Sequence, residues 1–191
     1  MVVVLRDEEK DVLIDIVKKT IQCKLDGKRS PGFQTESETL KEKSGAFVTL
    51  KKDGRLRGCI GYIEAKKPLY KTIEEMAIAA AFNDPRFPPL MRDELERLTL
   101  EISVLTPLKI IKNISEIVVG VHGIYIEISN RSGLLLPQVA IEYKWDVWTF
   151  LEETCCKAGL SPDTWKDKDT RIYIFSAEVF GRDWQDHLTK A

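Results

Sequence analysis

Long apolar runs, a surplus of charge of either sign, and metal-type spacings of cysteine and histidine are all missing from these 191 residues. The opening stretch, MVVVL, stops at Arg6 and runs into DEEKD; it is too short to span a bilayer and carries no cleavage site for a secretory leader. No later segment is long enough either, so neither a membrane span nor export is expected, and the location expected is cytoplasmic. Lysine and arginine total 29 against 30 acidic residues, a formal charge of -1, which leaves no global field to gather nucleic acid or an anionic membrane. The nearest thing to a basic patch is Lys51, Lys52, Arg55 and Arg57 with Lys66, Lys67 and Lys71 after it, and charges at hairpin ends usually sit in water.

Histidine is scarce, at positions 122 and 187 only, and neither belongs to a metal-binding helical pair. Four cysteines fall at 23, 59, 155 and 156 without C-x-x-C spacing, so reduced thiols are expected and no metal is. Cys155 and Cys156 are adjacent in a predicted helix and point to different sides. Nucleophile-elbow, phosphate-loop and dinucleotide fingerprints are absent, and no cofactor is expected.

What is present reads as a globular α+β chain, 43% apolar and 31% charged. Asp7 is placed to cap a helix with apolar positions at Val12, Leu13, Ile16, Val17 and Ile21 and a stop at Gly27. AFVTLKK, DG and RLRGCIGYI form a predicted hairpin, because Asp53 and Gly54 accept the positive φ of a two-residue turn. An unbroken ladder would set Leu50 opposite Arg57, Val48 opposite Cys59 and Phe47 opposite Ile60. Pro68 opens a helix to about Phe82 that shows Ile73, Met76, Ala77 and Ala80 on one face, and the prolines of NDPRFPPL then stiffen a loop. A short acidic helix, MRDELERL, precedes the strand LTLEISVL. VVGVHGIYIEIS and LLLPQVA read as short strands around the turn NRSG, followed by a helix from about Asp146 to Lys157 and a final strand, RIYIFSAEVF. That strand needs earlier partners, so the expected organisation is a larger lobe of residues 1–123 plus 171–191 and a smaller one of 124–170.

LRGCIG, residues 56–61, is the segment that packing explains least, since a strand built for stability would not centre on Arg, Cys and two Gly. Gly58 and Gly61 let another group approach the backbone. In an unbroken strand Arg57 and Cys59 share one face, where the guanidinium needs a carboxylate, a carbonyl or an anionic ligand and would lower the pKa of a neighbouring thiol. Cys59 is thus a candidate nucleophile, and its competing role is that of a small buried apolar side chain. His122, in GVHGI, is a candidate general base; a turn histidine bonded to the backbone is the alternative. Asp84 and Arg86 flank Pro85 and are candidates for a local ion pair or a ligand-binding rim.

LRGCIG, DPRFPPL with RDEL, GVHGI, LPQVA, WD at 145–146 and KAGL at 157–160 run in order through most of the chain, and together they resemble the AMMECR domain family. The resemblance implies two unequal lobes with antiparallel sheets and helices, a last strand that rejoins the larger lobe, and an interlobe cleft where LRGCIG gathers. It also implies a pathway shared with Memo-type and radical SAM proteins, the AmmeMemoRadiSam grouping, without specifying a reaction. Two functions follow: an enzyme-system component using Cys59 and His122 with Arg57, Gly58, Gly61, Asp84 and Arg86 around them, or a binding or scaffold protein for a small anion or a peptide.

Overall fold

The computed structural model describes residues 5–186. They divide into two compact units, one holding the residues up to Leu105 and those from Glu178 onward, the other Thr106–Ala177.

The first unit begins with helix α1, Asp7–Leu25. Asp7 is its first helical residue and not its cap: the backbone N–H of Arg6 donates to the carboxylate of Glu9 at 2.9 Å instead. Gly27, at φ +68°, ends the helix in the left-handed conformation that glycine adopts without strain. A single turn, α2 (Glu38–Lys41), leads into strands β1 (Ala46–Lys52) and β2 (Arg55–Tyr62), followed by helix α3 (Leu69–Phe82), a 3-10 turn at Arg92–Arg97 and β3 (Leu98–Leu105). β8, Ala177–Asp183, completes a sheet of order β2-β1-β3-β8.

The core of this unit is one cluster in which Leu13, Ile16 and Val17 of α1 and Ile73, Met76, Ala77 and Ala80 of α3 meet Val48, Leu50, Leu100 and Ile102 of the sheet. Each Val, Leu, Ile or Met side chain so withdrawn from water contributes roughly 1.5–3 kcal/mol before chain entropy is subtracted. The small faces of Ala77 and Ala80 let α3 lie close against β2.

The hairpin turn is as the sequence dictates, with Asp53 at φ +50° and Gly54 at φ +75° between the paired residues Lys52 and Arg55. The register beyond it is not. Lys51 pairs with Leu56 but Leu50 pairs with Gly58, so Arg57 is an extra, bulged residue on β2. The bulge shifts every later pair by one: Thr49 lies opposite Cys59, Val48 opposite Ile60 and Phe47 opposite Gly61. Ile60 and Tyr62 therefore join the helix-covered face, and Cys59 moves to the other with Thr49.

The second unit contains β4 (Lys109–Ile110), a 3-10 turn (Ile114–Glu116), β5 (Gly123–Ile128) and β6 (Arg131–Leu135), then α4 (Pro137–Glu142), α5 (Val147–Lys157), another 3-10 turn (Pro162–Lys166) and β7 (Arg171–Phe175). Its sheet runs β4-β7-β5-β6, and Phe150, Leu151 and Cys155 of α5 and Ala140 of α4 pack on Ile124, Ile126 and Ile174. LPQVA is helical where a strand was expected, because Pro137 occupies the first position of α4, where its missing N–H costs nothing. RIYIFSAEVF is likewise two strands. RIYIF pairs with β5 and β4, AEVFGRD joins the first sheet, and between them Ser176 and Thr106 exchange hydrogen bonds of 2.8 and 2.9 Å. The α+β class, with two antiparallel sheets and a last strand rejoining the first of them, stands. The seams fall at residues 105 and 178 and not near 123 and 171, because β4 and β7 both belong to the second sheet.

Candidate functional site

The LRGCIG strand and the DPRF loop are brought together in the first unit. Gly58 is the point of closest approach: a Cβ there would sit 2.1 Å from the carbonyl oxygen of Ala80 on α3, so no other residue fits without separating strand from helix. At Gly61 the Phe47 ring and the Ala46 carbonyl occupy the same space, with contacts of 2.3 and 2.4 Å. Both glycines thus meet this protein's own chain.

Asp84, 3% exposed, is the centre of the cluster. Its carboxylate accepts the backbone N–H of Cys59 at 2.9 Å, the backbone N–H of Arg86 at 3.1 Å, and the Arg86 guanidinium through Nε at 2.9 Å and Nη2 at 2.6 Å. Arg86 Nη2 also donates to the Cys59 carbonyl at 3.2 Å. Asp84 and Arg86 are therefore a local ion pair and, together, a clamp on both peptide groups of Cys59. The Arg86 guanidinium, with the N–H donors, holds the Asp84 carboxyl far below the usual carboxylate range despite its burial.

Arg57 is 8% exposed and is committed elsewhere. Its Nε and Nη2 donate to the two oxygens of Glu94 at 3.0 Å each, a bidentate pair in the 3-10 turn before β3. Lys52 adds a third donor at 2.8 Å and the Met91 backbone N–H a fourth at 2.9 Å. Hydrogen bonding from Arg57, then from Lys52 and Met91, outweighs burial and brings Glu94 down to about 2. Phe87 lies under both guanidiniums, its ring centroid 5.9 Å from Arg57 and 5.5 Å from Arg86. Glu94 is the residue that sequence reasoning passed over; RDEL, among the family-like motifs, was the available signal.

The thiol of Cys59 is half-buried and accepts a hydrogen bond from the Thr49 hydroxyl at 3.2 Å. Burial pushes its pKa up, and neither the Thr49 hydroxyl nor the Arg86 charge offsets it. The bulge places Arg57 with Glu94 and Lys52, so the shared face expected for Arg57 and Cys59 does not exist. His122 belongs to the second unit, where its Nδ1 accepts the Val118 backbone N–H at 3.1 Å, as a turn histidine does. His187 lies outside the described residues.

Among the described residues no group of three or more His, Cys, Asp or Glu side chains is placed to hold a metal ion. No helix among them is long and apolar enough to cross a membrane. The basic residues singled out around the hairpin, Arg55 apart, face carboxylates: Lys51 meets Glu101 at 3.2 Å, Lys67 meets Glu75 at 2.5 Å and Lys66 meets Glu64 at 2.9 Å.

An α+β protein of two sheets, with a glycine-lined strand clamped by a proline-stiffened loop, is the class these observations define. Residues 14–180 match the AMMECR1 family, and the chain belongs to it. It is 46% identical over 183 residues to a protein of Methanopyrus kandleri, covering 91% of this chain and 88% of that one. A protein of Methanothermobacter thermautotrophicus is 44% identical over 185 residues, covering 93% and 96%. The crystal structure of an uncharacterized protein from Pyrococcus horikoshii aligns with a TM-score of 0.85 at 41% identity over 93% of each chain.

Proposed function

We propose that this protein is a cytoplasmic binding component and not a cysteine enzyme, and that the LRGCIG–DPRF plate presents the half-exposed Arg86 guanidinium to a small anion or a carboxylate-bearing peptide of a partner. The partners proposed are the Memo-type and radical SAM proteins implied by the family resemblance. The observation that carries this reading is the saturation of the cluster. Asp84 and Glu94 each hold four donors, Arg57 is held bidentately by Glu94, and the one thiol sits above its ordinary pKa. A nucleophile needs a low pKa or an adjacent base, and Cys59 has neither nearby in its own unit. Arg86, by contrast, is oriented by Asp84 while its side chain remains 49% exposed, which gives an oriented cation at little further entropic cost.

Two measurements test this. Native-state iodoacetamide labelling read by peptide mass spectrometry should modify the exposed Cys156 well before Cys59. A purified Memo-type protein should be retained by the wild type and by Cys59→Ala alike, and lost or weakened with Arg86→Gln. Rapid, selective labelling of Cys59, or binding that disappears in Cys59→Ala while Arg86→Gln keeps it, would refute the reading.

A further inference from the structure

The second unit holds a cavity of about 530 Å³ lined by its own residues. It lies between the segment after β4 and the loop entering β7, and its size is in the range of small-molecule sites. Its charge is one-sided: Lys112, Lys166, Lys168 and Arg171 line it, against Asp167 alone. Lys166 is paired with Asp163, and Arg171 with Glu127 at 3.0 Å. Among the described residues Lys112 and Lys168 have no carboxylate partner, whereas Lys109, Lys166 and Arg171 nearby each have one.

The apolar part of the wall supplies a second, independent observation. Trp165 lines the same cavity, and its indole Nε1 is buried without a hydrogen-bond partner. An indole N–H can only donate, and buried donors are almost always satisfied. The orphaned donor and the unpaired cations thus belong to one wall, the nitrogen lying beneath its surface and the ring facing the cavity. The loops are also held in shape: the Asp167 carboxylate accepts the Asp169 N–H at 3.0 Å, and the Thr170 hydroxyl donates to the Thr164 carbonyl at 2.7 Å. Lys168 is thus carried on a fixed turn, and Ile111 and Ile172 join Trp165 in giving the site an apolar floor.

We infer that this cavity binds a small organic oxyanion, a carboxylate or phosphate on a compact apolar body, with Lys112 and Lys168 neutralising the charge and the Trp165 ring packing against the apolar body. The site is built from residues of the second unit, and the inference does not rest on the reading of Arg86.

The test is an NMR titration of the full-length, ¹⁵N-labelled protein at constant ionic strength, observing the Trp165 indole cross-peak assigned with Trp165→Phe. Phenyl phosphate or benzoate should shift that peak saturably, inorganic phosphate should do so more weakly, and neutral benzyl alcohol should leave it in place. The two organic anions distinguish phosphate from carboxylate preference. Lys112→Ala with Lys168→Ala should raise the Kd about tenfold, the loss expected for two partly exposed ion contacts, with the thermal midpoint kept. A Trp165 peak that no anion moves, that benzyl alcohol moves equally, or that responds unchanged in the double variant would overturn the inference.

Discussion

The carboxylate of Asp84 and the backbone N–H of Cys59, 25 positions apart, are 2.9 Å apart in space, and this bond fastens the proline-stiffened loop to the LRGCIG strand. Asp84 is nearly inaccessible and Arg86 half exposed, so the pair acts as an anchor with one face toward water.

Replacing Asp84 by Ala should cost about 3–5 kcal/mol, since it strands the Cys59 N–H and removes the carboxylate paired with Arg86. Asp84→Asn keeps one acceptor oxygen and should lose less. Urea unfolding midpoints rank the two, and equal losses would count against the clamp.

Arg57 and Glu94 should behave as a coupled pair. Either single change, Arg57→Ala or Glu94→Ala, leaves a buried charge uncompensated and should cost about 3–5 kcal/mol, whereas Arg57→Met with Glu94→Leu should recover much of it. Arg57→Lys should not rescue, because an ammonium cannot reproduce the fork. A double-mutant cycle with additive losses would exclude the coupling.

Stability should fall in acid. Glu94 is held at about 2, and so is Glu9, where burial alone would raise the pKa but hydrogen bonds from Arg6 and Ser37 outweigh it. Folded pKa values below the ordinary carboxylate value of about 4 mean that the unfolded chain binds more protons. The contribution is present in full above about pH 5 and disappears as the pH drops toward 2. For Glu94 it is on the order of 3 kcal/mol. Urea midpoints from pH 7 downward should show this loss, and Glu94→Gln should flatten the curve.

Gly58 and Gly54 should separate two kinds of glycine. Gly58→Ala drives a methyl into the Ala80 carbonyl and should cost about 3 kcal/mol or more. Gly54→Ala meets no atom within 4 Å and should cost only the strain of its positive φ, about 1 kcal/mol. Thermal melts of the two variants compare them directly, and a Gly58→Ala protein as stable as Gly54→Ala would disprove the contact argument.

Much of this was readable in the sequence because its physics is local. Asp-Gly at 53–54 fixes a tight turn, Gly27 stops α1, Pro68 opens α3 and LTLEISVL is the whole of β3. Helical and strand periods place Ile73, Met76, Ala77 and Ala80 in the core, and the charges of Asp84 and Arg86, two residues apart, are close enough to pair without any long-range contact. The unexplained composition of LRGCIG also marked the strand that Asp84 and Arg86 clamp.

The rest was decided by tertiary structure. Strand faces alternate with a period of two, so the single extra residue at Arg57 reverses the side of everything after it, and the glycines of LRGCIG suit a bulge or a close approach alike without placing one at Arg57. A guanidinium on a covered strand face needs a partner, but choosing Glu94 for Arg57 requires the distance in space between residues 37 apart. Asp84 became a buried acceptor only when the loop folded onto β2. RIYIFSAEVF, an unbroken strand by its alternation, is divided between two sheets because partners on the far side of the chain compete for its two halves, and that competition is settled by packing, not by propensity.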